Sequence, residues 1–352
     1  MSNLPPSGEI PRGAIRFNTD SNKPELWDGS QWAEFQLSTP NMGTSDDKQP
    51  GARGVLVGGY VAPTNTAKTS YINISSEGNS LDFGDLSTAI RYQAGTSSST
   101  RGLTFGGYSN SYQSTITKTT IASTGSHATF GNIKVSGSNT GFLGQTAFAN
   151  QTRSIMFSGN NASGNTSKMR YVTTASDGDT VDFGDMTYNY RYGLVTGSKI
   201  RAMPMGGYSG SANVDTINVV TIATTGDAQD FGDLRQTVGD SMGTSTNGIR
   251  SIIAMRTSGY TDTSLDSYNP ISGGTTIPFG NLTAGRQFGS MNSCLSSPTR
   301  GVFPGGTINP GSSTSGVIDY VQFATDGNAV DFGDMHTAAS AGSYFSSSHG
   351  GL

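Results

Sequence analysis

Cysteine occurs once in the 352 residues, at Cys294, which excludes an internal disulfide framework and a thiolate metal cluster. Histidine is almost as scarce. His127, His336 and His349 lie far apart and leave histidine-dependent chemistry poorly supplied. Charged residues make up only 13% of the chain, about half the usual share. The net charge of −4 provides no basic field for nucleic acid or an anionic membrane. No apolar run approaches the ~18–20 residues needed to span a bilayer. The opening Met1–Ile10 stretch lacks the charged region and apolar core of a signal peptide. The expectation is a chain with no nucleic-acid partner, no membrane insertion and no secretory leader. What is abundant is glycine, 49 residues, with much serine, threonine and asparagine. These residues favour turns and strands over helix interiors, so many short strands joined by tight turns are expected.

Two phrases recur six times in step. The first is built around phenylalanine, as in Leu81-Asp-Phe-Gly-Asp-Leu86 and Val330-Asp-Phe-Gly-Asp-Met335, and centres on Phe83, Phe130, Phe183, Phe231, Phe279 and Phe332. These phenylalanines are spaced 47, 53, 48, 48 and 53 apart. The second is an arginine followed by a short apolar run, usually ending in Gly-Gly-Tyr, headed by Arg53, Arg101, Arg153, Arg201, Arg250 and Arg300. Each unit reads as four strands, a to d. Strand a precedes the arginine, as in Tyr92–Ser98, and the arginine phrase is b. Strand c carries apolar pairs two residues apart on one face, such as Ile72 and Ile74 or Val220 and Ile222. A Gly-Asn or Gly-Asp turn follows, and the phenylalanine phrase is d. In unit five Pro270 falls where strand c is expected and should interrupt it. Four strands in roughly 50 residues, six times over, predict an all-β fold: a six-bladed kelch-like β-propeller over 41–352. The first unit lacks its own strand a. Ser346–His349 near the C-terminus is the preferred donor, and Met42–Ser45 is the alternative. Links between phenylalanine and the next arginine vary most in length. They should share a face with the b–c loops, where Tyr60, Tyr108, Asn160, Tyr208, Tyr260 and Asn309 are the candidate partner-facing residues. The tyrosines either cover the ends of their own strands or offer flat faces to a sugar.

Residues 1–40 show none of the repeat, yet hold both tryptophans. Strands are expected at Ala14–Phe17, Glu25–Trp27 and Gln31–Phe35, with turns at Asp20–Asn22 and Asp28-Gly29. So short a piece buries little core by itself, so it is expected to dock, either as a small cap on its own blade ring or as an attachment segment for a larger assembly, with Ile15, Phe17, Trp27, Trp32 and Phe35 as its contact residues. The phrase from Gly13 to Trp32 resembles the short amino-terminal module of tail-fibre and other virion proteins of tailed bacteriophages. The Gly-Asp/Asn-Ala-x-Asp-Phe-Gly-Asp-Leu/Met phrase, as at 226–234 and 327–335, resembles repeats in structural proteins of marine phages, including those of cyanobacteria. The resemblance implies a virion component without saying which one; a non-enzymatic, fibre-like tail or neck appendage is the preferred expectation. Its implied partners are other virion proteins in a homo-oligomeric assembly and a host-surface glycan or protein. A head or tail decoration protein, or a glycan-processing enzyme, is the alternative.

Other chemistry is thinly supported. Four Asp-Phe-Gly triplets resemble the kinase magnesium motif, but no phosphate loop or catalytic loop accompanies them. Asp177, Asp179, Asp182 and Asp185 contain enough oxygen for calcium, although turn chemistry explains them with less. No Gly-x-Ser-x-Gly elbow occurs, and Cys294 reads as a packing residue. The expectation is no metal, no cofactor and no catalytic residue. The arginine series is expected to pair with aspartates of the phenylalanine phrase.

Overall fold

Threonine, valine and isoleucine alternating between glycine-rich turns produce strands throughout. Among the described residues every regular element is a β-strand. The computed structural model describes residues 10–18, 23–34, 53–239, 243–255, 261–288, 295–309 and 313–352. Phe35, Tyr260, Cys294, the Asp20–Asn22 turn, Met42–Ser45 and the side chain of Asn309 lie outside them. The chain divides into two compact units, Met1–Asp46 and Asp47–Leu352.

The first unit is a three-stranded antiparallel sheet in chain order, β1 (Ile15–Asn18), β2 (Lys23–Trp27) and β3 (Trp32–Glu34). Asp28 shapes the β2–β3 turn by accepting the amides of Ser30 and Gln31, which hold its carboxyl down at about 2.

The described residues of the second unit form six four-stranded antiparallel sheets. Sheet 1 takes Arg53–Val61, Thr64–Asn73 and Leu81–Asp85 as strands b, c and d. Its strand a comes from the far end of the chain: Ser343–Ser346 pairs with strand b, Ser346 opposite Gly54 and Ser343 opposite Val57. The same register places Ser97 opposite Gly102 in sheet 2, formed by Ala94–Ser97, Arg101–Phe105, Thr115–Thr120 and Ala128–Asn132. Sheet 3 is Thr146–Ala149, Arg153–Asn161, Gly164–Thr173 and Val181–Tyr190. Sheet 4 is Leu194–Gly197, Arg201–Met205, Val214–Thr221 and Gln229–Val238. Sheet 5 is Gly243–Thr246, Ser251–Ala254, Ser264–Tyr268 and Ile277–Asn281. Sheet 6 is Leu295–Ser296, Arg300–Pro304, Val317–Gln322 and Val330–Asp334. Pro270 does not interrupt strand c of sheet 5. It follows the strand, in a turn where its missing N–H costs no ladder bond.

Consecutive sheets are joined by one repeated device. The turn between c and d of one sheet donates a glycine amide to the repeat phenylalanine carbonyl of the sheet before it. Gly125 reaches Phe83, Gly178 reaches Phe130, Gly226 reaches Phe183, Gly327 reaches Phe279, and Gly78 of sheet 1 reaches Phe332 of sheet 6. The side chains of Asn79, Asp179, Asp227 and Asn328 add a second tie by accepting the amides of Asp334, Asn132, Asp185 and Asn281. Because the donor is a backbone amide, the asparagines of units two and five serve as well as the aspartates elsewhere. The close approach requires glycine on strand d: a Cβ at Gly84, φ +145°, would lie 2.5 Å from the Gly125 carbonyl oxygen. Apolar packing follows the same path. Six clusters each draw on two consecutive sheets, Phe183 with Val220 and Ile222 for example, and one joins Phe332 and Val302 of sheet 6 to Leu56 and Ile72 of sheet 1. The six a strands lie side by side in this order, the last beside the first.

Phe231 departs from the series. It is half-buried where the other five are buried, because the sheet 5 turn folds on itself, Gly273 N–H to Asn269 O and Asn269 Oδ1 to the amides of Ile271 and Ser272.

Among the described residues the arginines do not pair with aspartates of the phenylalanine phrase. They reach across to the next sheet, where carbonyls just past strand c accept them: Arg53 to Ile121, Arg101 to Thr174 and Ala175, Arg153 to Ile222, Arg250 to Phe323 and Arg300 to Ile74. The acids they meet belong to the turns, Asp177, Asp326 and Glu77. Strand d aspartates instead bond lysines of their own strand c, Asp85 with Lys68 and Asp185 with Lys168. Neighbouring strands of one sheet hold those groups opposite each other, whereas the arginine sits at the end of b, against the next sheet.

The last residues pack among the ends of four sheets. His349 donates from Nε2 to Ser97 O at 2.8 Å and accepts the Gly351 amide on Nδ1, with its ring against Phe148. Gly350 bonds Thr246 O, and Ser348 bonds Ser296 O. Burial lowers His349 to about 4, and burial likewise lowers His127 to about 4. Both rings are therefore neutral in the folded chain near neutrality. Below about pH 6.5 the unfolded chain binds protons that the folded chain refuses until about pH 4. Stability is lost across that window, each ring contributing a slope of about 1.4 kcal/mol per pH unit. Urea unfolding is expected to show the midpoint falling as pH drops through this range, and His349→Gln should make the fall shallower. An unchanged slope in the variant would remove His349 from the account.

Candidate partner-facing site

In the first unit, strand alternation separates two faces. Arg16, Glu25, Trp27 and Trp32 share one. Arg16 Nε is 2.7 Å from Glu25 and its guanidinium lies 4.2 Å from the Trp32 ring, while the two indoles are 5.4 Å apart. Asn18 and then Arg16, bonding to Glu25, hold its carboxyl below the usual range. Ile15 and Phe17 stand on the opposite face, 67% and 59% exposed. The proposed docking residues thus separate. Trp27 and Trp32 are engaged within their own sheet, and among the described large apolar residues of this unit Ile15 and Phe17 are the exposed ones.

In the second unit the links from d to a and the loops from b to c gather tyrosines around two arginines. The Arg91 guanidinium lies over Tyr60, Tyr92 and Tyr108 at 4.7, 5.0 and 5.7 Å. Arg191 lies over Tyr192 and Tyr208 at 5.0 and 5.3 Å. Tyr92 and Tyr192 meet each other with centroids 5.7 Å apart. They are brought together by a run of backbone bonds through residues with positive φ. Tyr92 N–H reaches Ala341 O, Gly144 N–H reaches Tyr92 O, and Tyr192 N–H reaches Gly144 O. A non-glycine residue in the left-handed region is uncommon and points to a constrained position. The preceding Gly-Gly pairs supply the turn that starts each loop, Gly58 and Gly59 at φ +58° and +118°, with Ser158 accepting the same strain in sheet 3.

Three of the predicted loop residues, Tyr60, Tyr108 and Tyr208, are half-buried in this cluster, and the Tyr208 hydroxyl bonds Gly210 O. Asn160 is a correction. It is buried, and its side-chain amide is spent on Tyr112 and Asn165, because the preceding link pairs with its backbone at Leu143 and Tyr112 reaches it from the sheet 2 loop. Sequence reasoning missed Arg91, Tyr92, Arg191 and Tyr192. Their signal is a repeat of every second unit: Arg91-Tyr92 recurs one hundred residues later as Arg191-Tyr192, as Lys68 and Asp85 recur as Lys168 and Asp185.

Flat rings, two guanidinium groups and a rim of hydroxyls suit stacking and hydrogen bonding. Among the described residues no carboxylate is paired with Arg91 or Arg191. The calcium candidates do not converge. Asp177 pairs with Lys118 and Arg101, Asp179 with Lys134, Asp182 with Arg170 and Asp185 with Lys168, and no cluster of metal-ligating groups occurs among the described residues. No protein-family model matches the chain, and no curated protein does.

Proposed function

We propose that the second unit is a six-bladed, kelch-like β-propeller closed by the C-terminal strand, and that the protein is a non-enzymatic virion component of the tailed-phage kind. Its place is a tail or neck appendage, where the propeller displays the Arg91/Arg191 tyrosine surface to a host-surface glycan or protein. The observation that carries this reading is the common sheet-to-sheet device, present among the described residues at five of the six junctions, sheet 6 to sheet 1 included and sheet 4 to sheet 5 excepted. A ring tied this way has no free sheet edge at its seam and holds its loops in fixed relation, which suits display rather than motion. The virion assignment rests on the resemblance of the Gly13–Trp32 phrase and of the phenylalanine repeat. The bare Ile15 and Phe17 pair suits a docking contact with other virion proteins.

The test uses the purified full chain and cells of the bacterium infected by a particle that carries it. Saturable cell binding, weakened at least tenfold by Arg91→Ala with Arg191→Ala in chains that still melt cooperatively, is the expected result. Binding to particles alone, with none to cells, would favour a decoration role and overturn the receptor reading.

A further inference from the structure

Three sheets repeat a three-layer stack that sheet 4 leaves incomplete. Arg53, Arg153 and Arg300 lie over Tyr71, Tyr171 and Tyr320 at 4.3, 4.3 and 4.6 Å. Each tyrosine in turn meets the repeat phenylalanine edge-on, Phe83, Phe183 or Phe332, at 6.1, 5.9 and 5.8 Å. Strand register places the tyrosine two residues before the partner of the arginine, since Arg53 opposes Asn73, Arg153 opposes Thr173 and Arg300 opposes Gln322. In sheet 4 Arg201 opposes Thr221, so the tyrosine position is Val219. The arginine and phenylalanine remain, with Arg201 5.7 Å from the Phe231 ring. The third member of the stack, an aromatic ring at position 219, is missing.

Its loss leaves a cleft of about 320 Å³, lined among others by Arg201, Val219, Thr221, Asp227, Asp230 and Phe231. That volume lies within the range of small-ligand sites, about 300–1,000 Å³. Sheets 2 and 5 also lack the tyrosine, but their arginines have other partners: Arg101 shares Asp177 with Lys118, and Arg250 bonds Ser267, Phe323 O and Asp326. Among the described residues the Arg201 side chain makes no hydrogen bond or ion pair. The carbonyl that its sisters use belongs here to Pro270, in the turn that folds on itself. Nearby, close enough to feel the Arg201 charge, Tyr268 is 3% exposed and its hydroxyl has no hydrogen-bond partner.

We propose that this cleft binds a planar phenolic ring, which takes the position held by Tyr71, Tyr171 and Tyr320 in the sister sheets. The ring stacks beneath the Arg201 guanidinium with Phe231 at its edge, and Val219 forms an apolar floor. Asp227 and Asp230, which line the cleft, supply carboxylate acceptors for the hydroxyl, the role that Glu77 of the sheet 1 turn plays for the Tyr320 hydroxyl of sheet 6 at 2.7 Å. The same chemistry is offered by a free phenolic compound and by a tyrosine side chain of a polypeptide. The site is separate from the Arg91/Arg191 surface and does not depend on the display reading.

The experiment titrates the full chain with p-cresol, N-acetyl-tyrosine amide and cyclohexanol, read by NMR shifts of the Val219 methyl groups. Saturable p-cresol binding with none by cyclohexanol is expected. Tyrosine amide binding at least tenfold tighter than p-cresol assigns the site to a polypeptide partner; equal or weaker binding assigns it to a free phenol. Val219→Tyr should fill the cleft, abolish binding and raise the melting temperature, and Arg201→Ala should weaken binding at least tenfold without unfolding the chain. Cyclohexanol binding as tight as p-cresol, no binding by either phenol, or p-cresol binding indifferent to Arg201→Ala would overturn the proposal. The arginine variant decides the matter even where the tyrosine variant fails to fold.

Discussion

Removal of Ser343–Leu352 is expected to abolish cooperative folding of the second unit, the largest single effect open to a short deletion in this chain. The segment completes sheet 1, and without it the Arg53–Val61 strand becomes an open edge whose N–H and C=O groups face no partner. Tyr344 and Phe345, both buried, leave two core clusters at once, the one that joins sheet 6 to sheet 1 and the one that joins sheet 1 to sheet 2. Losing two large aromatic side chains costs about 3–5 kcal/mol each, against a whole-domain stability of about 5–15 kcal/mol. His349 leaves with them, together with its hydrogen bond to sheet 2 and its ring contact with Phe148 of sheet 3. Circular dichroism and a thermal melt of the truncated chain should show no sharp transition. Adding the ten-residue peptide in trans should restore part of it. A truncated chain that melts like the full one would show that sheet 1 needs no fourth strand.

The second large effect concerns a buried charge. Arg286 and Asp319 form an ion pair at 3.0 Å with both side chains fully withdrawn from water. Arg286 also donates to Phe303 O at 2.9 Å, and the Asp319 oxygens accept the hydroxyl and the amide of Thr283 at 2.6 and 3.0 Å. The pair thereby ties sheet 6 to the segment that leads into it from sheet 5. Arg286→Met leaves a carboxylate in the core with Thr283 as its only remaining bonded partner among the described residues, at an expected cost of about 3–5 kcal/mol in urea unfolding. Adding Asp319→Asn removes the charge while keeping an acceptor for Thr283, so the double variant should recover more than half of the loss. A single variant losing under about 1 kcal/mol would mean that water reaches the pair and screens it.

Much of the architecture is readable along the chain because its signals are local. The phenylalanine and arginine phrases mark strands d and b by composition and period alone, and the two-residue step of Val220 and Ile222 marks the buried face of c. Both of those residues are buried, although Ile222 lies just past the strand end. The partners of the arginines are not local. Arg53 bonds a carbonyl 68 residues away and Arg300 one that is 226 residues away. An aspartate close by in sequence is therefore a poor guide to what a guanidinium touches.

The same division holds for the candidate site. That tyrosine would follow the Gly-Gly pairs was a matter of composition and turn chemistry, whereas its half-buried place beside Arg91 and Arg191 was not. That Tyr92 and Tyr192 would face each other across Gly144, and that Asn160 would turn inward, depended on where neighbouring sheets came to rest. By itself the sequence determined six repeating β-units, a distinct leading segment and the phenylalanine core, since each follows from side-chain period and backbone preference within a few residues. Only the tertiary structure decided which carbonyl each arginine meets, which loop residues stay outside, and that a valine in one sheet leaves a cleft where its sisters hold a ring. Those outcomes depend on packing between segments tens to hundreds of residues apart, and no local preference encodes a distance of that kind.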